Sequence, residues 1–379
     1  MQDNGTWKSE INNEKTVWES VFSGDGAYNA VAFNANILTY SYQNGNVYLS
    51  DYRNPFNWSI GYSWIYMTPP TATGMLFINP YVINQSDEKI LFYAGGSTIW
   101  RNNNINISDD VNTPYEQTAT GLVSNQWEEL TALTSNSTIT ALTTTKASPE
   151  NRLFYGDAVG QVYRRNGANT GTGAALNVTS SDFPSSGYVS SISTNPDNGD
   201  EVIVTFSNYE VISVWYSKDG GLSWENISGN LEENANGTGN GPSVKSSLIQ
   251  TYKSVTSYFV GTSTGLYMTN TLNGASTTWA QEGENSIGKV VIDAIAGRAS
   301  DGYIAVATHG NGVYTSSMNQ KPVVSTVASV DMNEDATTTI SIVTSDPDND
   351  PVTATAKSDT SALKVSLVSN VITLTPDTN

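Results

Sequence analysis

Short apolar runs alternate with clusters of Gly, Asn, Asp and Ser along most of the chain. The runs are rich in β-branched and aromatic residues and show no sustained helical period, which favours strands. Six stretches share one pattern of strand, Gly- or Asn-rich turn and second strand with an aromatic residue: 37–49, 90–101, 153–164, 202–216, 258–268 and 304–315. They recur at about fifty residues, so the chain is expected to be all-β and built from repeated units.

Each of these hairpins is preceded by another apolar run, at 28–33, 74–78, 138–142, 188–193, 244–249 and 290–297. Most hairpins are followed by a tryptophan that begins a short polar strand: Trp58, Trp127, Trp224 and Trp279. Four strands in one repeat are typical of a propeller blade. Because a blade must bury both faces against its neighbours, the repeats are expected to close into a ring.

The last repeat has no following strand of its own, and an unused strand pattern, TVWESVF, lies at 16–22. We therefore expect a six-bladed β-propeller over residues 1–318 that is closed by this N-terminal strand. A seven-bladed ring is the alternative, because NGTW at 4–7 resembles the inner half of a further repeat.

The pattern changes after Met318. Residues 319–324 indicate a linker, and residues 325–379 contain four Ser/Thr/Val-rich alternating segments: 337–344, 352–358, 363–369 and 371–376. Alternation with period two predicts a small β-sandwich of immunoglobulin-like character. The segments are too few for a complete domain, which favours a partial sandwich within a longer modular protein.

The stretch SKDGGLSW at 217–224 has the spacing S-x-D-x-G-x-x-W. Asp219 can accept hydrogen bonds from amides of a tight turn after Ser217, Gly221 suits a left-handed conformation, and Trp224 can pack between blades. The stretch resembles the Asp box, or BNR repeat, of sialidase-, sortilin- and xyloglucanase-type propellers in secreted multidomain bacterial proteins. The resemblance extends over about residues 1–318 and implies a structural turn on the rim, away from the central pocket.

Catalysis by a sialidase of this type would need an arginine triad, a Tyr/Glu pair and an acid. The chain has six arginines and lacks the N-terminal Arg motif of sialidases. Arg101 and Arg164 follow equivalent strands, which favours pairing at the surface or between blades.

A glycosidase would need two carboxylates that face each other across a cleft. The candidates near inner strands are Asp25, Asp157, Glu210 and Asp293, of which Asp25 and Asp157 fit turns. His309 is the single histidine, so a multi-histidine metal site is excluded, and its THGNG context indicates a turn. No pair stands out as catalytic.

Two other patterns suggest ligands. Tyr62, Trp64 and Tyr66 alternate ahead of a proline turn and could stack on sugar rings; the alternative is packing of an outer strand against the next blade.

An acidic pattern lies in the second domain. Asp346, Asp348 and Asp350 alternate in SDPDNDP, and Glu334 and Asp335 lie upstream in MNED. Carboxylates at this spacing suit Ca²⁺, and the pattern resembles cadherin-like repeats of bacterial surface proteins. A solvated acidic hairpin is the alternative.

Composition narrows the function further. The net charge of −19 disfavours nucleic acid and anionic membranes as partners, and no apolar run approaches the ~20 residues of a membrane span. The absence of cysteine fits a large bacterial exoprotein, although the polar start MQDNGTW shows no secretion signal. We expect a non-catalytic secreted or cell-surface module that binds a polysaccharide or an extracellular protein. The alternatives are a glycoside hydrolase and a structural spacer of an adhesin.

Overall fold

A computed structural model describes residues 5–12, 15–32, 34, 37–51, 65–105, 126–318, 322–325, 327, 329–346 and 350–377. Throughout these residues the fold is all-β, and the single helical element among them is a 3₁₀ turn at Gly229–Leu231. None of the described helical structure has the length and apolar character that crossing a membrane requires. Contacts divide the chain into two compact units, Met1–Ala299 with Ile304–Thr315 and Ser300–Tyr303 with Ser316–Asn379.

The described part of the first unit begins with a two-stranded hairpin, β1 (Thr6–Asn12) and β2 (Lys15–Phe22). Six sheets follow in chain order, and each is a meander of consecutive strands. Sheet 1 comprises β3 (Gly26–Ala32), β4 (Ile37–Tyr42), β5 (Asn46–Asp51) and β6 (Ile65–Tyr66). Sheet 2 comprises β7 (Tyr81–Ile83), β8 (Leu91–Gly95), β9 (Thr98–Asn102) and β10 (Trp127–Thr134). Sheet 3 comprises β11 (Ile139–Thr144), β12 (Leu153–Asp157), β13 (Val162–Arg165) and β14 (Leu176–Asn177).

The remaining sheets repeat this order. Sheet 4 comprises β15 (Val189–Asn195), β16 (Asn198–Phe206), β17 (Val214–Ser217) and β18 (Glu225–Asn226). Sheet 5 comprises β19 (Val244–Tyr252), β20 (Val255–Thr262), β21 (Gly265–Thr269) and β22 (Ala280–Glu282). Sheet 6 has three described strands, β23 (Ile292–Arg298), β24 (Tyr303–Thr308) and β25 (Val313–Ser317).

The first strands of successive sheets lie side by side. At their starts, the Thr140 hydroxyl donates to the Val189 carbonyl over 2.6 Å, and the Ser190 hydroxyl donates to the Val244 carbonyl over 2.8 Å. Tyr81 of sheet 2 likewise donates its hydroxyl to the carbonyl of Tyr28 in sheet 1. The starts of neighbouring first strands therefore lie at the same level.

The ends of these strands are joined in the same way. Thr194 donates its hydroxyl to the Thr144 carbonyl, and Thr251 donates to the side-chain oxygen of Asn195, each over 3.1 Å. The starts of neighbouring first strands contact each other, and so do their ends. The first strands of sheets 3, 4 and 5 are therefore parallel and aligned at both ends.

Apolar clusters fill the space between consecutive sheets. Phe154 of sheet 3 and Val204 of sheet 4 are fully buried in one cluster, and Ile203 of sheet 4 and Val260 of sheet 5 are buried in the next. Burial of such a side chain contributes about 1.5–3 kcal/mol, so these layers hold the first unit together.

Close packing between sheets depends on glycines in the second strands. A Cβ on Gly156 would collide with Val189 of the next sheet, and one on Gly261 would collide with Ile292. Val189 and Ile292 are both first-strand residues, so sheets 3 and 5 use the same device to approach the sheet that follows.

Three strand predictions are wrong. Residues 16–22 pair with β1 and not with the last sheet, because a hairpin between adjacent segments closes a far shorter loop than a contact across the chain. The segment 74–78 is irregular, because Asn79 accepts the Leu76 amide and turns the chain before Pro80; the first strand of sheet 2 is β7. Residues 352–358 form no strand.

The described part of the second unit contains two small sheets. One pairs β26 (Val323–Val324) with β28 (Thr344–Ser345), and the other has the order β27 (Thr338–Ser341), β30 (Val371–Pro376), β29 (Leu363–Val368). Along β29, Leu363, Val365 and Leu367 are half-buried and alternate with the exposed Lys364, Ser366 and Val368, as period-two patterning predicts.

Candidate functional site

The turn at 217–224, which the sequence predicts to be an Asp box, joins β17 to β18. The Ser217 hydroxyl donates to Asp219 over 2.8 Å and accepts the Gly221 amide over 2.7 Å, while Ser223 donates its amide and its hydroxyl to the Asp219 carboxylate. Burial acts to raise the pKa of Asp219, but the hydrogen bonds from Ser223, Ser217 and the Leu222 amide outweigh it and lower that pKa. The Asp219 carboxylate therefore accepts hydrogen bonds from residues of its own turn.

Trp224 links this turn to the preceding sheet. Its indole N–H donates to the Val178 carbonyl over 2.7 Å, and its ring packs edge-on against Phe183. Trp279, directly before the fourth strand of sheet 5, donates its indole N–H to the Ile227 carbonyl over 2.8 Å. Val178 and Ile227 each directly follow the fourth strand of the preceding sheet, so both tryptophans make the same contact between sheets.

Two arginines make a second contact between sheets. Arg101 donates to the Ala168 carbonyl, and Arg164 donates to the Gly220 carbonyl, each over 2.6 Å. Both carbonyls belong to the loop after the third strand of the next sheet, and Arg101 also pairs with Glu128. Burial lowers the pKa of Arg164, and both side chains are largely shielded from water. They are therefore occupied in holding sheets together.

Asp157 is a buried turn residue. Its carboxylate accepts the amides of Val159 and Gln161 over 3.0 and 2.8 Å, and the hydroxyl of Ser135 over 2.5 Å. These contacts fasten the β12–β13 turn and leave the carboxylate away from solvent, where a substrate could not reach it.

Asp25 and Glu210 lie in separate connections. Asp25 is in the turn between β2 and β3, where its amide donates to the Gln43 side chain over 3.0 Å. Glu210 is exposed in the β16–β17 loop, with a left-handed φ of 59°. Asp293, the fourth candidate acid, lies on β23. The four candidate acids thus lie in four different elements. The contacts seen for Asp157 and Asp293 do not include another candidate acid.

Asp293 is the centre of an exposed charged group. One carboxylate oxygen lies 3.3 Å from Nζ of Lys245, and the other lies 3.0 Å from Nδ1 of His309. Lys245 is at the start of β19, Asp293 is at the start of β23, and His309 follows β24, with its amide bonded to the Val291 carbonyl. The side chains are 39 %, 42 % and 76 % exposed, respectively. The topology joins three residues that are far apart in sequence.

Two tyrosines stand at the starts of first strands. Tyr28 of β3 is 39 % exposed, and Tyr188, directly before β15, is 37 % exposed. Burial, followed by the nearby Tyr188 phenol, raises the pKa of Tyr28 to about 12, and burial also raises the pKa of Tyr188. Each ring is thus partly accessible to solvent, although the surrounding protein buries enough of it to raise the pKa of its phenol.

The predicted sugar-stacking set is only partly described. Tyr66 is exposed at the end of β6, and its hydroxyl donates to Asn46 over 3.1 Å. Its ring meets Tyr48 edge-on at 5.3 Å, and Tyr48 stacks on Tyr42 at 5.8 Å. Tyr66 is thus the end of a tyrosine row across sheet 1. Tyr62 and Trp64 lie outside the described residues.

A Glu–Tyr–Tyr group was not foreseen from the sequence. Tyr216 and Tyr258 meet edge-on at 6.0 Å beside Glu201, whose carboxylate accepts the amide groups of Asn195 and Asn198. Burial, with smaller contributions from Tyr258 and Glu201, raises the pKa of Tyr216 well above its ordinary value. The raised pKa keeps this phenol in its neutral form at neutral pH.

The predicted calcium ligands lie in the second unit. The Asp350 amide donates to the Asp346 carboxylate over 3.2 Å, and Glu334 and Asp335 form a turn in which Asp335 has a φ of 67°. Asp348 lies outside the described residues. Among the residues described, no three His, Cys, Asp or Glu side chains form a group suited to a metal ion. Calcium binding stays a prediction.

Comparison with protein-family models gives no match, and a search of curated proteins finds no similar sequence.

Proposed function

We propose that the first unit is a six-bladed Asp-box propeller that serves as a non-catalytic, secreted or cell-surface module and binds a polysaccharide through the opening at the starts of its first strands. The Asp-box contacts and the parallel first strands support the architecture. The approach of Tyr28 in sheet 1 to Tyr188 in sheet 4 supports the ring, because a flat row of sheets would hold these residues far apart.

The observation that supports a sugar ligand is that aromatic rings and hydroxyl groups lie along the first strands. Tyr28 and Tyr188 offer partly exposed aromatic rings, and hydroxyls continue along the first strands, where Ser247 bonds Ser191 and Ser193 over 3.2 and 3.0 Å. Sugars present apolar ring faces edged by hydroxyl groups, so aromatic rings beside hydroxyls are complementary to them.

The contacts of the candidate acids and arginines argue against hydrolysis. A glycosidase needs two available carboxylates at a fixed separation, whereas Asp157 is buried in a turn and Asp293 is paired with a lysine and a histidine. Arg101 and Arg164, which a sialidase could have used for a substrate carboxylate, bind backbone carbonyls.

The test measures binding of soluble oligosaccharides and release of new reducing ends in the same incubation. Tyr28→Ala and Tyr188→Ala are each expected to weaken binding roughly three- to tenfold, the loss of one aromatic contact. Tyr209→Ala, an exposed tyrosine in the β16–β17 loop, is the matched control and should bind as the unaltered protein does. If none of the oligosaccharides binds, the proposal is overturned. Release of reducing ends that is lost in Asp293→Asn would instead establish a hydrolase.

A further inference from the structure

The second residue of the first strand differs in chemical type between sheets 3 and 4 and sheets 5 and 6. Thr140 in sheet 3 and Ser190 in sheet 4 occupy the second position of their first strands, and each donates its hydroxyl to the next sheet. A short hydroxyl is sufficient for this contact. Lys245 and Asp293 occupy the same position in sheets 5 and 6.

The charged pair costs more than the hydroxyls it replaces. Ordering a lysine side chain costs conformational entropy, and an exposed ion pair returns on average less than that cost. Departures from a repeat that bring no structural gain are expected at functional sites. His309, 76 % exposed at the same carboxylate, adds a third group with no structural need for exposure.

The hydrogen-bonding groups that Lys245, Asp293 and His309 leave for a ligand are N–H groups of Lys245 and, when it is protonated, Nε2 of His309. Each oxygen of Asp293 already faces a cation or an imidazole, so the carboxylate is satisfied from the protein side. Lys245 retains N–H groups beyond the one directed to Asp293, and His309 holds Nδ1 against Asp293, which leaves Nε2 for a ligand. When that nitrogen is protonated, the group carries one net positive charge in a chain whose net charge is −19.

We propose that Lys245 and His309, positioned by Asp293, bind the anionic substituent of a sugar, a carboxylate or a sulfate ester. This inference rests on the proposed function, because it assigns the ligand class of the same opening. Tyr28 and Tyr188 supply the contact to the sugar ring, and Lys245 supplies a charge-assisted hydrogen bond to the substituent.

Proton uptake accompanies this binding. A bound anion favours the protonated form of an imidazole, and an unperturbed imidazole changes charge between about pH 5 and 8, so affinity is expected to rise as pH falls through that range. The charged groups seen at His309 are Asp293 on β23 and, across its carboxylate, Lys245 on β19. In the same β24–β25 turn, Asn311 donates its side-chain amide to the Tyr314 hydroxyl.

The experiment compares the affinity of the full chain for oligogalacturonate, a sulfated galactan oligosaccharide and a neutral galactan oligosaccharide. Lys245→Met is expected to weaken binding of the two anionic sugars roughly tenfold and to leave the neutral sugar unchanged. Lys218→Met, an exposed lysine of the Asp-box turn, is the control and should change neither. The thermal unfolding midpoint of each variant reports whether it is folded.

The sulfated sugar isolates the histidine, because a sulfate ester does not titrate in this range. Its affinity is expected to be several-fold higher at about pH 5.5 than at about pH 8, and His309→Gln should abolish that difference. Preference for only one of the two anionic sugars identifies the substituent. Equal affinity for neutral and anionic sugars, or equal weakening of both by Lys245→Met, would overturn this inference and leave the proposed function intact. Failure of all three sugars to bind would overturn both.

Discussion

Asp219 shows how one carboxylate contributes to stability through its own turn. Hydrogen bonds from Ser223, Ser217 and the Leu222 amide lower its pKa despite partial burial. Asp219→Asn replaces one acceptor oxygen by a donor that faces the Ser223 hydroxyl, so the free energy of unfolding should fall by about 1 kcal/mol at neutral pH. A group with a lowered folded-state pKa stabilises the protein above its unfolded-state pKa, and this stabilisation is lost as pH falls through the folded-state value. Urea unfolding at several pH values should therefore show the variant's deficit shrink below about pH 4.

Glu232 provides the control of opposite sign. Burial raises its pKa, although its hydrogen bonds with Ser213 and Ser228 act to lower it. A raised folded-state pKa means that the ionised carboxylate costs stability at neutral pH and that this cost vanishes as pH falls. Glu232→Gln keeps an oxygen for the Ser213 amide. It should leave stability at neutral pH unchanged or raise it; an equal loss in both variants would contradict the assignment of Asp219.

At the scale of elements, neighbouring sheets are joined by repeated polar contacts as well as by apolar layers. Trp224 and Trp279 reach the carbonyl that follows the preceding fourth strand, and Arg101 and Arg164 reach forward into the next sheet. The same residue types therefore recur at equivalent positions of successive sheets and make equivalent contacts.

This arrangement predicts that Trp279→Phe destabilises the chain by about 1–3 kcal/mol, because it leaves the buried Ile227 carbonyl without its partner. Trp224→Phe should cost less, because Trp224 is only partly buried. Trp18→Phe, at an exposed position of β2, is the control and should change stability little. Denaturant midpoints of the three variants test this order, and an equal effect at all three positions would contradict it.

At the scale of the whole molecule, the proposed ring brings sheets 1 and 4 towards each other. The chain has no cysteine, so spin labels can be placed without background at Tyr28→Cys and Tyr188→Cys. Electron–electron distance measurement should give a short, narrow distribution for this pair. It should give a clearly longer distance for a Tyr28→Cys, Lys253→Cys pair, since Lys253 follows the opposite end of β19. Equal distances for the two pairs would rule out the ring.

The sequence by itself determined the features that depend on local pattern. Alternation with period two and Gly- or Asn-rich turns placed the six hairpins. At 37–49, for instance, Asn44 and Gly45 adopt the left-handed φ that the tight turn requires. The tight turn at 217–224 was also readable from the sequence, because its hydrogen bonds join residues at most four positions apart.

Tertiary structure decided whatever depends on which segments meet. Residues 16–22 are as suitable for one strand partner as for another, and only the competition between a short hairpin and a distant edge selects β1. Lys245, Asp293 and His309 have no local signal, and they meet because β19 and β23 are neighbouring first strands and β24 returns beside β23. A linear pattern records the surroundings of each residue along the chain, whereas a charged group of this kind depends on contacts across the sheets.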